Sequence, residues 1–192
     1  MIFKDICAVV LAGGKSSRME QDKALLKLNN TSMTQVQYDK LSKIFKNVYI
    51  SSKVDKFDFL DDKSKVIIDE NNEYSPMIAL SSILNQMKEN QVFILTVDVP
   101  LIKENTIKQI VDAYMKNDYE IVVAKDENNR HNLCGVFSKS LISKIDKYLK
   151  DDIHKINYLI NNSKHKEINF SDTNEFLNIN TKEDFVLCQR SI

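Results

Sequence analysis

The chain has 192 residues, 43% hydrophobic and 28% charged, which is typical of a soluble globular protein with one core. Lysine and arginine number 27, and so do aspartate and glutamate, giving a formal net charge of zero. This balance argues against nucleic-acid binding, which usually needs a basic excess, and no apolar run approaches the roughly 20 residues of a membrane helix.

Alternating strand and helix patterns follow one another along the chain. Short apolar runs predict strands at residues 6–11, 48–50, 66–68, 92–97, 120–124, 133–137 and 168–170. Apolar residues at helical spacing predict helices over 36–45 (closed by Asn47), 77–87 (opened by Pro76), 107–114, 141–149 and 153–160. Thr181 with Asp184 three residues later predicts the start of a last helix.

This order predicts an α/β fold with helices on both sides of a mostly parallel sheet. We expect one domain over residues 1–192, because no linker or repeat interrupts the pattern. Open α/β sheets bind ligands beyond the carboxyl ends of their strands. That rule indicates two places, the loop after Leu11 and Asp98.

Three cysteines, Cys7, Cys134 and Cys188, are far apart in the sequence. Their number and spacing indicate neither a zinc site nor a disulfide framework. Each lies in an apolar stretch, so we expect buried thiols in a protein of the reducing cytoplasm.

A glycine-rich, basic loop follows the first strand. Gly13 and Gly14 allow a ligand close to the backbone, and successive amides there can face phosphate oxygens. Lys15, Arg18 and Lys23 add the positive charge that a transferring phosphoryl group needs. Taken alone, this pattern also fits a surface turn, and it is neither a P-loop nor a dinucleotide fingerprint.

Asp98 follows the most apolar strand, in the segment Thr96-Val97-Asp98-Val99-Pro100. A carboxylate at a strand end suits Mg²⁺, which binds one or two carboxylates together with substrate phosphates. The alternative is an aspartate that only ends the strand or caps the next helix.

The segment Leu11-Ala12-Gly13-Gly14-Lys15-Ser16-Ser17-Arg18-Met19, followed by Asp22-Lys23-Ala24, resembles the signature of molybdenum cofactor guanylyltransferases. The Asp98-Val99-Pro100 motif and the stretch Asn178-Ile179-Asn180-Thr181 occur at matching places, so the resemblance runs from Leu11 to Phe185. It implies a Rossmann-like three-layer α/β/α fold of the nucleotide-diphospho-sugar transferase type.

The resemblance also implies roles for individual residues. It places Arg18, Lys23 and Asp98 in catalysis, and Asp98 with Asn180 around Mg²⁺. Arg130, His131 and Asn178 correspond to acceptor-binding positions, although a solvated loop histidine and local turn asparagines are the alternatives. The implied nucleotide-binding residues are Leu11, Ala12, Gly13, Gly14, Lys15, Lys23, Ser51, Asp69 and Asp98.

The implied reaction transfers GMP from GTP to the phosphate of molybdopterin and releases pyrophosphate. Cofactor-synthesis proteins and apo-molybdoenzymes or their chaperones are the implied partners. Glu20, Ser75 and Ala79 stand where the family usually has glycine. These departures keep two alternatives open: a cytidylyl- or sugar-phosphate nucleotidyltransferase of the same fold, and a non-catalytic cofactor carrier.

Overall fold

The computed structural model describes residues 2–13, 22–69, 73 and 75–190. Its strands are β1 (Cys7–Leu11), β2 (Lys27–Leu28), β3 (Thr31–Ser32), β4 (Val48–Ser52), β5 (Val66–Ile68), β6 (Gln91–Thr96), β7 (Ile121–Lys125), β8 (Arg130–Ser138) and β9 (His165–Asn169). Its α-helices are α1 (Met33–Ser42), α2 (Pro76–Gln86), α3 (Glu104–Met115), α4 (Ile142–Lys150), α5 (Ile156–Asn161) and α6 (Lys182–Gln189).

Seven of these strands form one sheet in the order β5-β4-β1-β6-β8-β7-β9. The four strands β5, β4, β1 and β6 run parallel, as do β7 and β9. Strand β8 is antiparallel to both of its neighbours. The sheet is therefore mostly parallel, as the sequence predicts.

Helices cover both faces of the sheet. Alternate residues of β1 show this, because Ala8 and Val10 join one buried cluster while Cys7 and Val9 join the other. The first cluster includes side chains of α1, α3 and α6, and the second includes those of α2, α4 and α5. A strand buried on both faces must be continuously apolar, and this confirms the predicted three-layer α/β/α fold.

Several boundaries differ from the prediction. Helix α1 ends at Ser42 rather than near Asn47, and Ile44 and Phe45 are buried in the turn that follows. Strand β8 begins at Arg130 instead of Leu133 because its first residues pair with the end of β7, past a bulge after Val123. Tertiary pairing thus extends a strand that lacks an apolar start.

Two further elements depart from the sequence pattern. Helix α5 begins only at Ile156, so Ile153 lies outside it. The β2–β3 hairpin was not predicted, because Asn29 and Asn30 form its turn with positive φ angles of 47° and 67°. Asparagine tolerates this left-handed conformation, and the two-residue strands are too short for an apolar pattern.

All three cysteines are buried and unpaired, as predicted. Burial raises the pKa of the Cys134 thiol to about 12 and also raises the pKa of Cys7 and of Cys188. These thiols are therefore protonated at neutral pH and do not form the reactive thiolate. Within the described part of the chain, no helix has both the length and the apolar character needed to traverse a bilayer.

Candidate active site at the carboxyl ends of the parallel strands

The site lies where neighbouring parallel strands end side by side. Leu11 pairs with Ser51 on one side and with Thr96 on the other. After β1 the chain continues to β4, whereas after β6 it crosses to the opposite half of the sheet. Connections that diverge in this way open a crevice at the carboxyl ends, which is the usual ligand site of an open α/β sheet.

A cavity of about 430 Å³ occupies this crevice. It is lined by Leu11, Ala12, Gly13, Asp22, Lys23, Ala24, Ser51, Ser52, Lys53, Asp69, Ser75, Pro76, Ala79, Thr96, Val97, Asp98 and Leu133. Seven residues predicted to bind nucleotide, catalyse or hold metal are therefore brought together: Leu11, Ala12, Gly13, Lys23, Ser51, Asp69 and Asp98. Gly14, Lys15, Arg18 and Glu20 lie outside the described residues.

Asp98 lines this cavity and has one buried carboxylate oxygen. Its Oδ1 is inaccessible to solvent and has no hydrogen-bond partner among the described residues. A buried carboxylate oxygen without a partner is costly, so this atom suits a cation. The described residues contain no cluster of three or more His, Cys, Asp or Glu side chains able to hold a metal. A single carboxylate fits Mg²⁺, which takes its remaining ligands from phosphates and water.

The C-terminal segment is joined to Asp98 and to Lys23. The Ile179 amide donates to the Asp98 carbonyl oxygen at 2.8 Å, and Lys23 Nζ donates to Asn180 Oδ1 at 2.8 Å. The predicted metal ligand Asn180 thus directly follows a residue that is hydrogen-bonded to Asp98. Its amide oxygen already accepts a hydrogen bond from Lys23. An amide oxygen has a second lone pair, which leaves one position for another donor or a cation.

A capping box fixes the conformation of this segment. Thr181 Oγ1 accepts from the Asp184 amide at 3.1 Å, while Asp184 Oδ2 accepts from the Thr181 amide at 2.8 Å. The Asn180 amide donates to the same carboxylate at 2.9 Å. These backbone donors, Asn180 first, hold the pKa of the Asp184 carboxyl below its ordinary value. The predicted helix start at Thr181 is confirmed, and it orients Asn180.

Gly13 leaves space on the cavity side that the protein does not fill. A Cβ placed on Gly13 would lie 3.8 Å from Ser52 Cα and 4.0 Å from Lys53 N, which are ordinary van der Waals contacts. The φ angle of Gly13 also lies outside the left-handed region. Packing within the described residues therefore does not require glycine here, whereas close approach of a ligand would.

The opposite end of the cavity carries the predicted residues Ser51 and Asp69 together with Lys53 and Ser52, which the sequence did not single out. Lys53 Nζ donates to Asp69 Oδ2 at 2.7 Å and to the Glu73 carbonyl oxygen at 3.1 Å. Ser51 and Ser52 are buried, and their hydroxyl oxygens have no partner among the described residues. The signal for Lys53 was its place directly after the strand β4, at the same sheet edge as Gly13.

The first turn of α2 forms another wall. Ser75, Pro76 and Ala79 line the cavity there, and Ser75 Oγ donates to the His154 carbonyl oxygen at 3.4 Å. Two of the family's glycine positions therefore border the cavity. Their side chains take up space on the same side as Lys53 and Asp69.

None of the three predicted acceptor-binding residues, Arg130, His131 and Asn178, lines the cavity. From β8, it is Leu133 that lines the cavity. His131 is on β8, where its Nε2 lies 3.0 Å from Asp126 Oδ2 and its ring stacks on Phe176 at 4.3 Å between centroids. Arg130 donates to Glu167 at 3.1 Å and to two asparagine oxygens. His131 is thus neither in a loop nor solvated, and Asn178 is exposed beside the buried Ile179.

Comparison with known proteins identifies the family of this chain. The family described as the MobA-like NTP transferase domain matches residues 8–167. A molybdenum cofactor guanylyltransferase of Campylobacter jejuni is 42% identical over 187 residues, with 96% of each chain covered.

Solved structures show the same architecture. The crystal structure of an Aquifex aeolicus protein is 34% identical, with a TM-score of 0.77 over 93% of this chain and 94% of that one. The molybdopterin-guanine dinucleotide biosynthesis protein A of Archaeoglobus fulgidus, at 15% identity, shares the fold with a TM-score of 0.82 over 96% and 97% of the two chains. The chain therefore belongs to the molybdenum cofactor guanylyltransferase family of MobA-like nucleotidyltransferases.

Proposed function

We propose that this protein transfers GMP from GTP to the terminal phosphate of molybdopterin. A phosphate oxygen of the acceptor forms a bond to the α-phosphorus of GTP, the bond to the β-phosphate bridging oxygen breaks, and pyrophosphate leaves. The observation that carries the proposal is the unpartnered, buried Asp98 Oδ1 at a cavity that Lys23 also lines. One carboxylate and one cation there suit a triphosphate with its metal.

The sheet order supports one orientation of the nucleotide. Neighbouring strands lie about 4.8 Å apart, so the ends of β6 and β5, three strands apart, are separated by roughly 14 Å. Asp98 follows β6 and Asp69 follows β5. An extended nucleoside triphosphate has a comparable length and could reach both ends. Because Mg²⁺ binds a carboxylate together with phosphates, the phosphates would lie near Asp98 and the base near Asp69.

The groups at the base end favour guanine. A lysine ammonium donates to the O6 and N7 acceptors of guanine, and a carboxylate accepts from its N1–H and N2–H groups. Lys53 and Asp69 lie 2.7 Å apart at this end, side by side as O6 and N1–H are. Cytosine and adenine offer an amino group where guanine offers O6, so the same pair would match them less well. Uracil offers O4 and N3–H in the corresponding places and differs from guanine here by lacking the N2–H group.

The chemistry would depend on positioning and charge. The acceptor phosphate is already anionic at neutral pH, so no general base is needed. Lys23 would stabilise the charge that grows at the α-phosphate, and its bond to Asn180 holds it in place. Asp98, with Asn180, would hold Mg²⁺. When bound, this ion neutralises phosphate charge and aligns the triphosphate.

The product would be passed on to other proteins. Apo-molybdoenzymes or their chaperones are the proposed recipients, and cofactor-synthesis proteins the proposed suppliers. We expect these steps in the cytoplasm, where buried free thiols such as those of Cys7, Cys134 and Cys188 persist.

The test is pyrophosphate release by the purified protein with molybdopterin, Mg²⁺ and each of GTP, CTP, UTP and ATP in turn. We expect release with GTP, and loss of at least 100-fold in turnover for Asp98→Asn. Asp118→Asn is the matched control, because Asp118 has a fully exposed side chain.

Other outcomes would contradict specific parts of the proposal. Release with CTP or with a sugar phosphate acceptor would retain the nucleotidyltransferase and overturn its substrates. Binding of GTP or cofactor without any release would support the carrier, to which Ser75 and Ala79 point. Full activity of Asp98→Asn would remove Asp98 from the reaction.

A further inference from the structure

Helix α1 buries a row of polar side chains beneath the site. Thr34 and Gln37 are both 0% exposed, and Lys40 is partly buried. The three are spaced three residues apart, so they lie along one face of the helix. A core-facing helix normally presents apolar side chains here, and Met33 and Leu41 do so.

Each of these side chains donates a hydrogen bond to a backbone carbonyl oxygen in one of two segments, the one that contains Lys23 and the one that follows Asp98. Thr34 Oγ1 donates to the Ala24 carbonyl oxygen at 2.8 Å. Gln37 Nε2 donates to the Val99 carbonyl oxygen at 2.7 Å, and Lys40 Nζ donates to the Pro100 carbonyl oxygen at 2.6 Å. Ala24 directly follows Lys23, and Val99 directly follows Asp98.

The row is an expensive way to fill the core. Gln37 Oε1 is buried and has no partner among the described residues, and a buried unsatisfied polar atom destabilises the folded state. Burial lowers the pKa of Lys40 to about 8, so its charged form is also disfavoured. An apolar side chain of similar size at position 37 would avoid the first cost, but it would leave the Val99 carbonyl oxygen without this donor. The polar side chain therefore serves to hold the segment that follows Asp98.

We propose that Thr34, Gln37 and Lys40 are positioning residues that fix Lys23 and Asp98 relative to one another. One rigid helix binds both loops, so their separation is set by the helix rather than by loop flexibility. Catalysis that depends on orientation is sensitive to displacements of about 1 Å, which can cost 100-fold. The inference rests on the proposed roles of Lys23 and Asp98.

Gln37→Met is the main test, and Gln35→Met is its matched control. Gln35 lies on the same helix, is only partly buried, and makes no side-chain hydrogen bond that links it to either loop among the described residues. We expect Gln37→Met to change the melting temperature little, because it removes the orphan oxygen but also leaves the Val99 carbonyl oxygen without its donor. We also expect at least a tenfold loss of turnover and a several-fold higher Mg²⁺ concentration for half-maximal effect.

The Mg²⁺ requirement is measured in two ways. One is turnover, and the other is the thermal shift produced by Mg²⁺ at fixed GTP, which needs no reaction. A merely structural role would alter the melting temperature without altering the Mg²⁺ dependence. If Gln37→Met matches Gln35→Met in both readouts, the inference is wrong.

Thr34→Val and Thr34→Ser provide a second test in case Gln37→Met does not fold. Valine has the shape of threonine but lacks the hydroxyl that holds Ala24. We expect Thr34→Val to lower turnover with the Mg²⁺ dependence unchanged, because it acts through Lys23, and Thr34→Ser to restore turnover. Unchanged turnover in a folded Thr34→Val protein would overturn this half of the inference.

Failure of the proposed function can be distinguished from failure of the positioning role. If the wild-type protein releases no pyrophosphate with any triphosphate, the reaction itself is wrong. The Mg²⁺-dependent thermal shift with GTP would still compare Gln37→Met with Gln35→Met. A normal wild-type reaction with indistinguishable variants would overturn the positioning role alone.

Discussion

Replacing Gly13 by alanine should separate ligand binding from stability. The added Cβ would meet no described protein atom closer than 3.8 Å, and the backbone is not in the left-handed region. Under these conditions Gly→Ala stabilises a protein by about 0.4–1 kcal/mol, because it restricts the unfolded chain. The predicted change in melting temperature is therefore a rise of up to about 4 °C for a chain of this size.

Nucleotide binding should respond in the opposite direction. If phosphate or ribose atoms contact the Gly13 backbone, the new methyl group overlaps them, and overpacking costs about 1–3 kcal/mol. Because 1.4 kcal/mol corresponds to a tenfold change in affinity, the Kd for GTP should rise by roughly 5- to 150-fold. Isothermal titration with GTP and Mg²⁺ measures the Kd, and thermal unfolding without ligand measures stability.

Gly135→Ala is the structural counterpart. A Cβ on Gly135 would lie 2.2 Å from the Val122 carbonyl oxygen and 2.9 Å from Val123 Cα, both in the backbone of the paired strand. We expect it to lower the free energy of unfolding by about 3 kcal/mol or more. A folded Gly13→Ala protein with an unchanged Kd for GTP would refute the reasoning that a ligand fills the space beside Gly13.

Two further predictions concern Lys23, which lines the cavity, and Lys40, which lies on helix α1. Lys23→Met should lower turnover about 100-fold or more while raising the Kd for GTP less than tenfold, because its charge acts mainly in the transition state; equal losses in both would assign Lys23 to ground-state binding. The folded-state pKa of Lys40 is about 8, below its ordinary value of 10.5, so the unfolded state binds the extra proton between these values. Wild-type stability relative to Lys40→Met should therefore rise with pH over that window, by at most about 1.4 kcal/mol per pH unit, and chemical unfolding at pH 7 to 10 that gave a constant difference would contradict it.

The sequence by itself determined the layers of the fold. Continuous apolar runs such as residues 6–11 can only be buried on both faces, and helical stripes between them must cover those faces. The same pattern placed Gly13 and Asp98 at strand ends and therefore at one edge of the sheet. The capping box at Thr181 was also readable, because its two partners are three residues apart.

Only the tertiary structure decided which side chains meet. Lys53 and Asp69 pair across neighbouring strands, and Lys23 reaches Asn180 from 157 positions away. Nothing in local periodicity encodes such contacts, because they depend on the order and register of the strands.

His131 and Gln37 illustrate the same limit. In the sequence His131 resembled a loop residue, yet it belongs to β8, which pairs with β7 across a register shift between Val123 and Ala124, and it lies beside Asp126 and Phe176. Gln37 looked like one polar position on an ordinary helix, yet it is buried against the Val99 carbonyl. Burial of a polar group depends on what the rest of the chain packs over it, and that is settled only when the layers assemble.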